Sequence, residues 1–320
     1  MRSFVVGGAG FIGSHLVELL VDRGPVTVFD DLSVGRAAFL ELASATGRVR
    51  LIEGDARDLD ALAPHVADHD VVVHLSANPE ARRGLVDTRL DLEQGTIATY
   101  NALEAARRAG VGKFVFASSG TVYGESEDAC AEEDLGRLPI SLYGASKLAG
   151  EAMVSAFAHC FDSCATIVRF GNVVGPRGTH GAALDFLRKL RDDPHELEVL
   201  GDGEQAKPYV HVTDCAAGIL FALDHTTPPL EVFNLAPSDT TSVRQIAETC
   251  IRLSPYPDAV IRYTGGERGW RGDVARSKMR SDKLRERGFS LRHSSDEAMK
   301  RAVDELVAEV FPPRRRKGGG

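Results

Sequence analysis

Phe4-Val5-Val6-Gly7-Gly8-Ala9-Gly10-Phe11-Ile12-Gly13 is the stretch on which the fold turns. Three apolar residues read as a strand, the glycines as a tight turn, and the apolar spacing from Phe11 to Val21 as a helix. The run satisfies G-x-G-x-x-G from Gly8 and G-x-x-G-x-x-G from Gly7. Glycines there permit the turn and let backbone N–H groups approach a pyrophosphate at the positive end of a helix. Asp30 ends the next apolar run, 22 residues beyond Gly8. A carboxylate at that place can bind the adenosine ribose hydroxyls and would repel a 2′-phosphate. Strand, glycines, helix, strand and acid in this order predict a bound NAD rather than NADP, with Gly7, Gly10, Phe11, Ile12, Gly13 and Asp30 as its ligands. A glycine turn that binds nothing would not require that order.

Working outward, Val26–Phe29, Val49–Ile52, Val71–Val73 and Phe114–Phe116 repeat the short apolar pattern of strands buried on both faces. Helical patterns lie between them, notably 91–109 and 143–161, and a further strand runs from Ala165 to Phe170. The alternation calls for an α/β fold, a Rossmann-type doubly wound parallel sheet with right-handed crossovers. Residues 1–170 are expected to form the NAD-binding domain, with returns to its sheet from within 207–236. Residues 171–311, richer in Gly and Pro loops, are expected to form mainly a smaller substrate-binding lobe. The basic, glycine-ended tail 312–320 is expected to be disordered.

Composition narrows the function. The 320 residues are 43% hydrophobic and 26% charged, with net charge −8. That excess of acid speaks against a nucleic-acid binder, whose surface must be basic to meet phosphates. The cysteines number five, with no C-x-x-C pair, so neither a disulfide framework nor a metal site is expected. The chain opens into a strand rather than a signal peptide, and no apolar run is long enough for a bilayer. A cytoplasmic protein without a membrane partner is the expectation.

Tyr143 and Lys147 stand four apart and share a helix face. A free tyrosine, with pKa about 10, is a poor base at neutral pH, but an adjacent ammonium stabilises its phenolate. The run Ala117-Ser118-Ser119-Gly120-Thr121-Val122-Tyr123-Gly124 brings hydroxyls to the carboxyl end of a strand, where ligands sit in such folds. Ser118 and Ser119 could simply cap the turn, but at this place the functional reading is the better one; Asp55 sits where an adenine contact would fall, and a surface turn explains it nearly as well.

GGAGFIG, FDDLSVG, GDARD, HLSA, SSGTVYG, YGASK, RFGNVVGPRG and GDGEQ follow one another as in extended short-chain dehydrogenases/reductases. Over 2–310 the chain resembles the UDP-glucose 4-epimerase group of nucleotide-sugar epimerases. The resemblance implies 4-epimerisation of a nucleotide sugar through a 4-keto intermediate, with NAD held tightly and no net redox change. It implies Tyr143 as base, Lys147 as its electrostatic partner and ribose ligand, and Ser119 as the hydrogen-bond partner of the sugar O4. Asp55, Ala56, Leu75, Ser76 and Ala77 would also face the cofactor. Ser118 and Thr121 would line the sugar site, Asn172 would contact the diphosphate, and Arg271 and Asp273 would bind phosphate and uridine ribose. Lys207 takes the place of a more usual arginine and keeps charge without the bidentate fork. Ser277 would gate the sugar C2 substituent, leaving room for UDP-GlcNAc, unless it caps a turn before Lys278 or Arg276 or Met279 fills the space. A 4,6-dehydratase would carry Asp-Glu where Gly120 and Thr121 stand, and a decarboxylase a glutamate. A non-catalytic NAD sensor would be expected to lack the tyrosine or lysine. The resemblance also implies a homodimer, paired through 91–109 and 143–161, with Leu92, Ala98, Leu103, Leu148, Ala152 and Ala156 as candidate contacts.

Overall fold

The computed structural model describes residues 1–134 and 137–312. Seven parallel strands form the central sheet: β1 (Ser3–Val6), β2 (Val26–Asp30), β3 (Val49–Glu53), β4 (Val71–His74), β5 (Lys113–Ser119), β6 (Cys164–Phe170) and β7 (Leu230–Leu235). Their order is β7-β6-β5-β4-β1-β2-β3. The chain therefore starts near the middle, winds outward to β3, returns to β4 and continues to the other edge. The reversal between β1 and β4 opens a crevice at the carboxyl ends, where ligands bind in sheets of this kind.

The sheet separates two cores. Val5, Leu16, Val28, Val115, Val168 and Phe233 pack on one face. Phe4, Phe29, Phe114, Phe116, Ile167 and Val154 pack on the other. Alternate residues of one strand thus serve opposite cores, which is why these strands are apolar throughout. The expectation fails at β3, whose residues are exposed or half-buried. As the edge strand it has a neighbour on one side only, and Arg50 and Glu53 suit that place.

Of the segments between 207 and 236, Leu230–Leu235 joins the sheet beside β6. Tyr209–His211 does not; it pairs with Asn172–Val174 in a separate ribbon. Beyond the sheet, the helices Ala182–Asp192, Val243–Leu253 and Ser295–Val310 close over a third core with Leu187, Leu197, Ile246 and Val303. Capping boxes at Ser242/Gln245 and Ser294/Glu297 set where two of these helices begin. The helix expected over 91–109 is not uniform: Leu92–Ile97 is π-helical and Ala98–Arg108 is α-helical. A Cβ at Gly95 would meet the Ser146 Oγ at 2.4 Å, so this turn lies close against the helix bearing Tyr143. The expected tail falls, from residue 313 onward, outside the described residues. Among the described residues no helix is long and apolar enough to cross a membrane.

Candidate active site

The crevice is a cleft of about 710 Å³, running from Asp30 at one end to Asp273 at the other. Its Asp30 end is made by backbone in close approach. Gly7 has φ +81°, and a Cβ on it would fall 2.7 Å from the Ser76 nitrogen. A Cβ on Gly13 would fall 2.3 Å from the Gly7 oxygen. No larger residue fits either place without moving main chain. Gly10 begins the Phe11–Leu20 helix with no side-chain cap, leaving the first-turn amides to a ligand. Gly7, Gly10, Phe11, Ile12 and Gly13 all line the cleft, as do Ala56, Leu75, Ser76 and Ala77.

Asp30 is buried, and its carboxylate is held from two sides. Oδ2 accepts the Ala9 N–H at 2.9 Å and Oδ1 the Leu32 N–H at 3.0 Å. Burial raises its pKa, while these two bonds oppose the rise. Asp55 also lines the cleft, but its carboxylate is engaged by the Arg57 guanidinium at 2.6 Å. Hydrogen bonding from Arg57 holds the Asp55 pKa below its ordinary value, against a smaller effect of burial. These residues fit a dinucleotide: uncapped helix amides for the pyrophosphate, a fixed carboxylate for the ribose, and no Cβ in the way.

At mid-cleft stand Ser119, Tyr143 and Lys147. Ser119 closes β5. Tyr143 and Lys147 occupy the first turns of Leu142–Cys160, which Ser141 caps by accepting the Gly144 N–H at 3.1 Å. The Lys147 Nζ donates to the Ala117 carbonyl at 2.7 Å and lies 5.7 Å from the Tyr143 ring centroid. Burial pushes the Lys147 pKa down to about 8, with the Asp91 and Glu151 carboxylates working against it. Burial pushes the Tyr143 phenol up to about 12; the Ser119 hydroxyl pulls down and Asp91 pushes up. A phenol in that condition needs added positive charge to act as a base near neutrality. The Ser119 Oγ accepts from the Thr121 N–H at 3.2 Å and its hydroxyl at 3.0 Å. Ser118 also contributes to the lining, but its hydroxyl donates to Glu151, away from Tyr143.

The Asp273 end is made by side chains from distant segments. Asn172 lies at the start of the strand after β6, exposed to the cleft. Lys207 and Asp273 form a half-buried ion pair at 2.5 Å, so the two nucleotide ligands implied by resemblance hold each other. Ser277 faces the cleft beside Met279. Arg271 does not line it. It borders a smaller pocket with Ile140, Leu142 and Trp270, because Gly272, at φ +91°, turns the chain between it and Asp273. Trp270, Tyr209 and His180 line the cleft without having been singled out from sequence. Only Trp270 carried a signal, as the one tryptophan in the chain, next to Arg271. Among the described residues no group of three His, Cys, Asp or Glu side chains is placed to hold a metal ion.

Comparison with known proteins agrees with this geometry. Residues 3–236 match the family described as NAD dependent epimerase/dehydratase. The UDP-glucose 4-epimerase of Mycolicibacterium smegmatis is 32% identical over 297 residues, 89% of this chain and 92% of that one. The UDP-N-acetyl-alpha-D-glucosaminuronate decarboxylase of Bacillus cytotoxicus is also 32% identical, over 81% of this chain and 82% of its own. Among solved structures, a UDP-galactose 4-epimerase superposes with TM-score 0.87 at 36% identity, over 97% of this chain and 100% of that one.

Proposed function

The chain belongs to the NAD-dependent epimerase/dehydratase family, and on that premise we propose that it interconverts the C4 epimers of a UDP-sugar. Bound NAD supplies the hydride acceptor and donor and a positive charge beside the phenol. Tyr143, with Lys147 close by, takes the proton from the sugar 4-hydroxyl, and Ser119 donates a hydrogen bond to the oxygen that becomes a ketone. The 4-keto sugar turns about its diphosphate tether and regains hydrogen on the opposite face. Asn172, Lys207 and Asp273 hold the nucleotide end so that the intermediate is not lost.

The observation that carries this reading over dehydration or decarboxylation lies beside Ser119. The next two places hold Gly120 and Thr121, neither of which is an acid. A Cβ at Gly120 would fall 2.6 Å from the Met279 sulfur, so an acidic side chain there would have to displace that methionine. Elimination of water across C5 and C6 requires such a group; proton and hydride exchange at C4 does not. The testing experiment follows UDP-glucose and UDP-galactose, with their uronate and N-acetyl relatives, over the NAD-loaded protein. Interconversion of C4 epimers supports the reading; a 4-keto-6-deoxy product, release of CO₂ or no conversion of any of them defeats it.

Ser277 leaves at the cleft wall the volume of an absent aromatic ring, so UDP-GlcNAc is accepted alongside UDP-glucose. The protein works as a cytoplasmic homodimer. All five cysteines are free, as suits a reducing compartment. Of the dimer contacts expected from resemblance, Ala98 and Leu103 are buried within the chain itself, at 1% and 4% exposure. The expected Leu92, Ala152 and Ala156 are exposed, and Leu92 with Ile97 and Tyr100 leaves an apolar face open on the same segment. Light scattering at micromolar concentration should give twice the chain mass; a monomer mass contradicts the dimer.

A further inference from the structure

Arg169, near the end of β6, is the largest fully buried side chain among the described residues and does not line the cleft. Its guanidinium is satisfied in two directions. Nε and Nη2 donate to the two oxygens of Glu151 at 2.9 and 2.7 Å. Nη1 donates to the Tyr123 hydroxyl at 2.8 Å and to the Glu132 carbonyl at 2.9 Å.

Each direction leads to a different part of the catalytic apparatus. Glu151 lies four residues after Lys147 and eight after Tyr143, on the same face of their helix, and also accepts the Ser118 hydroxyl beside Ser119. Tyr123 passes the chain of bonds on, donating to the Asn234 Oδ1 at 2.7 Å. The Asn234 amide nitrogen then donates to the Cys130 and Arg280 carbonyls, each at 3.0 Å. Cys130 and Met279 form a backbone bridge, with Cys130 N–H on the Lys278 carbonyl at 3.1 Å and Arg280 N–H on that of Cys130 at 2.8 Å. This bridge is the strip whose Met279 and Ser277 wall the sugar end of the cleft.

We propose that Arg169 is a hub with two separable arms: Glu151 positions the proton-transfer group, and Tyr123, through Asn234, positions the sugar-pocket wall. A buried ion pair adds little to stability compared with apolar packing, and in some proteins its role is to fix one arrangement of the elements it joins. Here one guanidinium links the catalytic helix directly through Glu151, the end of β5 through Glu151 and Ser118, and the 278–280 strip through Tyr123 and Asn234. The proposal rests on the epimerase reading only for its kinetic arm.

The experiment compares Glu151→Gln with Tyr123→Phe in the NAD-loaded protein, by steady-state kinetics on UDP-glucose and by hydrogen exchange with mass spectrometry. Glu151→Gln should lower kcat tenfold or more with KM nearly unchanged, and speed exchange in 113–119. Tyr123→Phe, which removes one oxygen atom, should raise KM several-fold with kcat nearly unchanged, and speed exchange in 128–132 and 278–281. Equal effects of both variants on kcat and KM, or faster exchange spread alike over both regions, would overturn the two-arm hub. If the wild type converts no UDP-sugar, the functional reading falls, while the exchange pattern still decides the hub. If Glu151→Gln does not accumulate folded, Tyr123→Phe decides alone: wild-type exchange in 278–281 would refute the proposal.

Discussion

At the Asp30 end of the cleft the walls are backbone; at the Asp273 end they are side chains. The first end is centred on one continuous strand–turn–helix, with Asp30 and 75–77 beside it, and a Cβ on Gly7 or Gly13 would stand only 2.3 to 2.7 Å from main-chain atoms. The second is assembled from positions 172, 207 and 270–279, held by an ion pair and a bridge between loops. A backbone wall tolerates almost no substitution and binds one kind of ligand. A side-chain wall can be rebuilt one residue at a time, which suits a region where relatives of similar identity handle different sugars. The difference predicts where substitutions abolish function and where they redirect it.

Between the two ends sits the chemistry, and the largest effect is expected there. Tyr143→Phe should retain NAD and lose about 10²- to 10⁴-fold in kcat, the usual contribution of a positioned general base. Full activity would remove Tyr143 from the role. At the backbone end, Gly13→Ala forces its Cβ against the Gly7 carbonyl. Overpacking of this kind costs about 1–3 kcal/mol, so NAD affinity measured by fluorescence should fall by about 5- to 150-fold. An unchanged affinity would show that the turn can give way.

At the side-chain end the effect should be smaller and selective. Ser277→Tyr should cut kcat/KM for UDP-GlcNAc by about tenfold or more, within the range one pocket contact commands, and spare UDP-glucose. Equal loss on both substrates would break the contrast between the ends. The smallest effect concerns pH. Lys147, pushed down to about 8 by burial, is charged below that pH and neutral above it. Turnover should therefore decline as pH rises through about 8. Asp91→Asn removes a carboxylate that raises the Lys147 pKa, so the decline should move to lower pH; a fixed profile would remove Asp91 from that balance.

The same contrast explains what could be read before the fold was seen. Gly7 to Gly13 and Asp30 were legible because backbone approach and strand–helix order leave their mark in consecutive residues. Tyr143 and Lys147 were legible because helical spacing places them on one face. Tyr209 and His180 were not, since each reaches the cleft only through tertiary packing of segments far apart in sequence. Arg271 borders a neighbouring pocket, across a turn at Gly272 that its motif does not announce. The edge position of β3 depends on strand order, which apolar runs do not encode. Arg169 and Glu151 read as ordinary charges in sequence, and only the sheet and helix together turn them into a buried pair.

The central claim is exchange of configuration at C4 without net oxidation, and proton NMR of the sugar nucleotide tests it most directly. Samples begun from UDP-glucose and from UDP-galactose, each with NAD-loaded protein, should converge on one mixture with no accumulated NADH. Two samples that stay apart, or that yield a dehydrated or decarboxylated product, would contradict it.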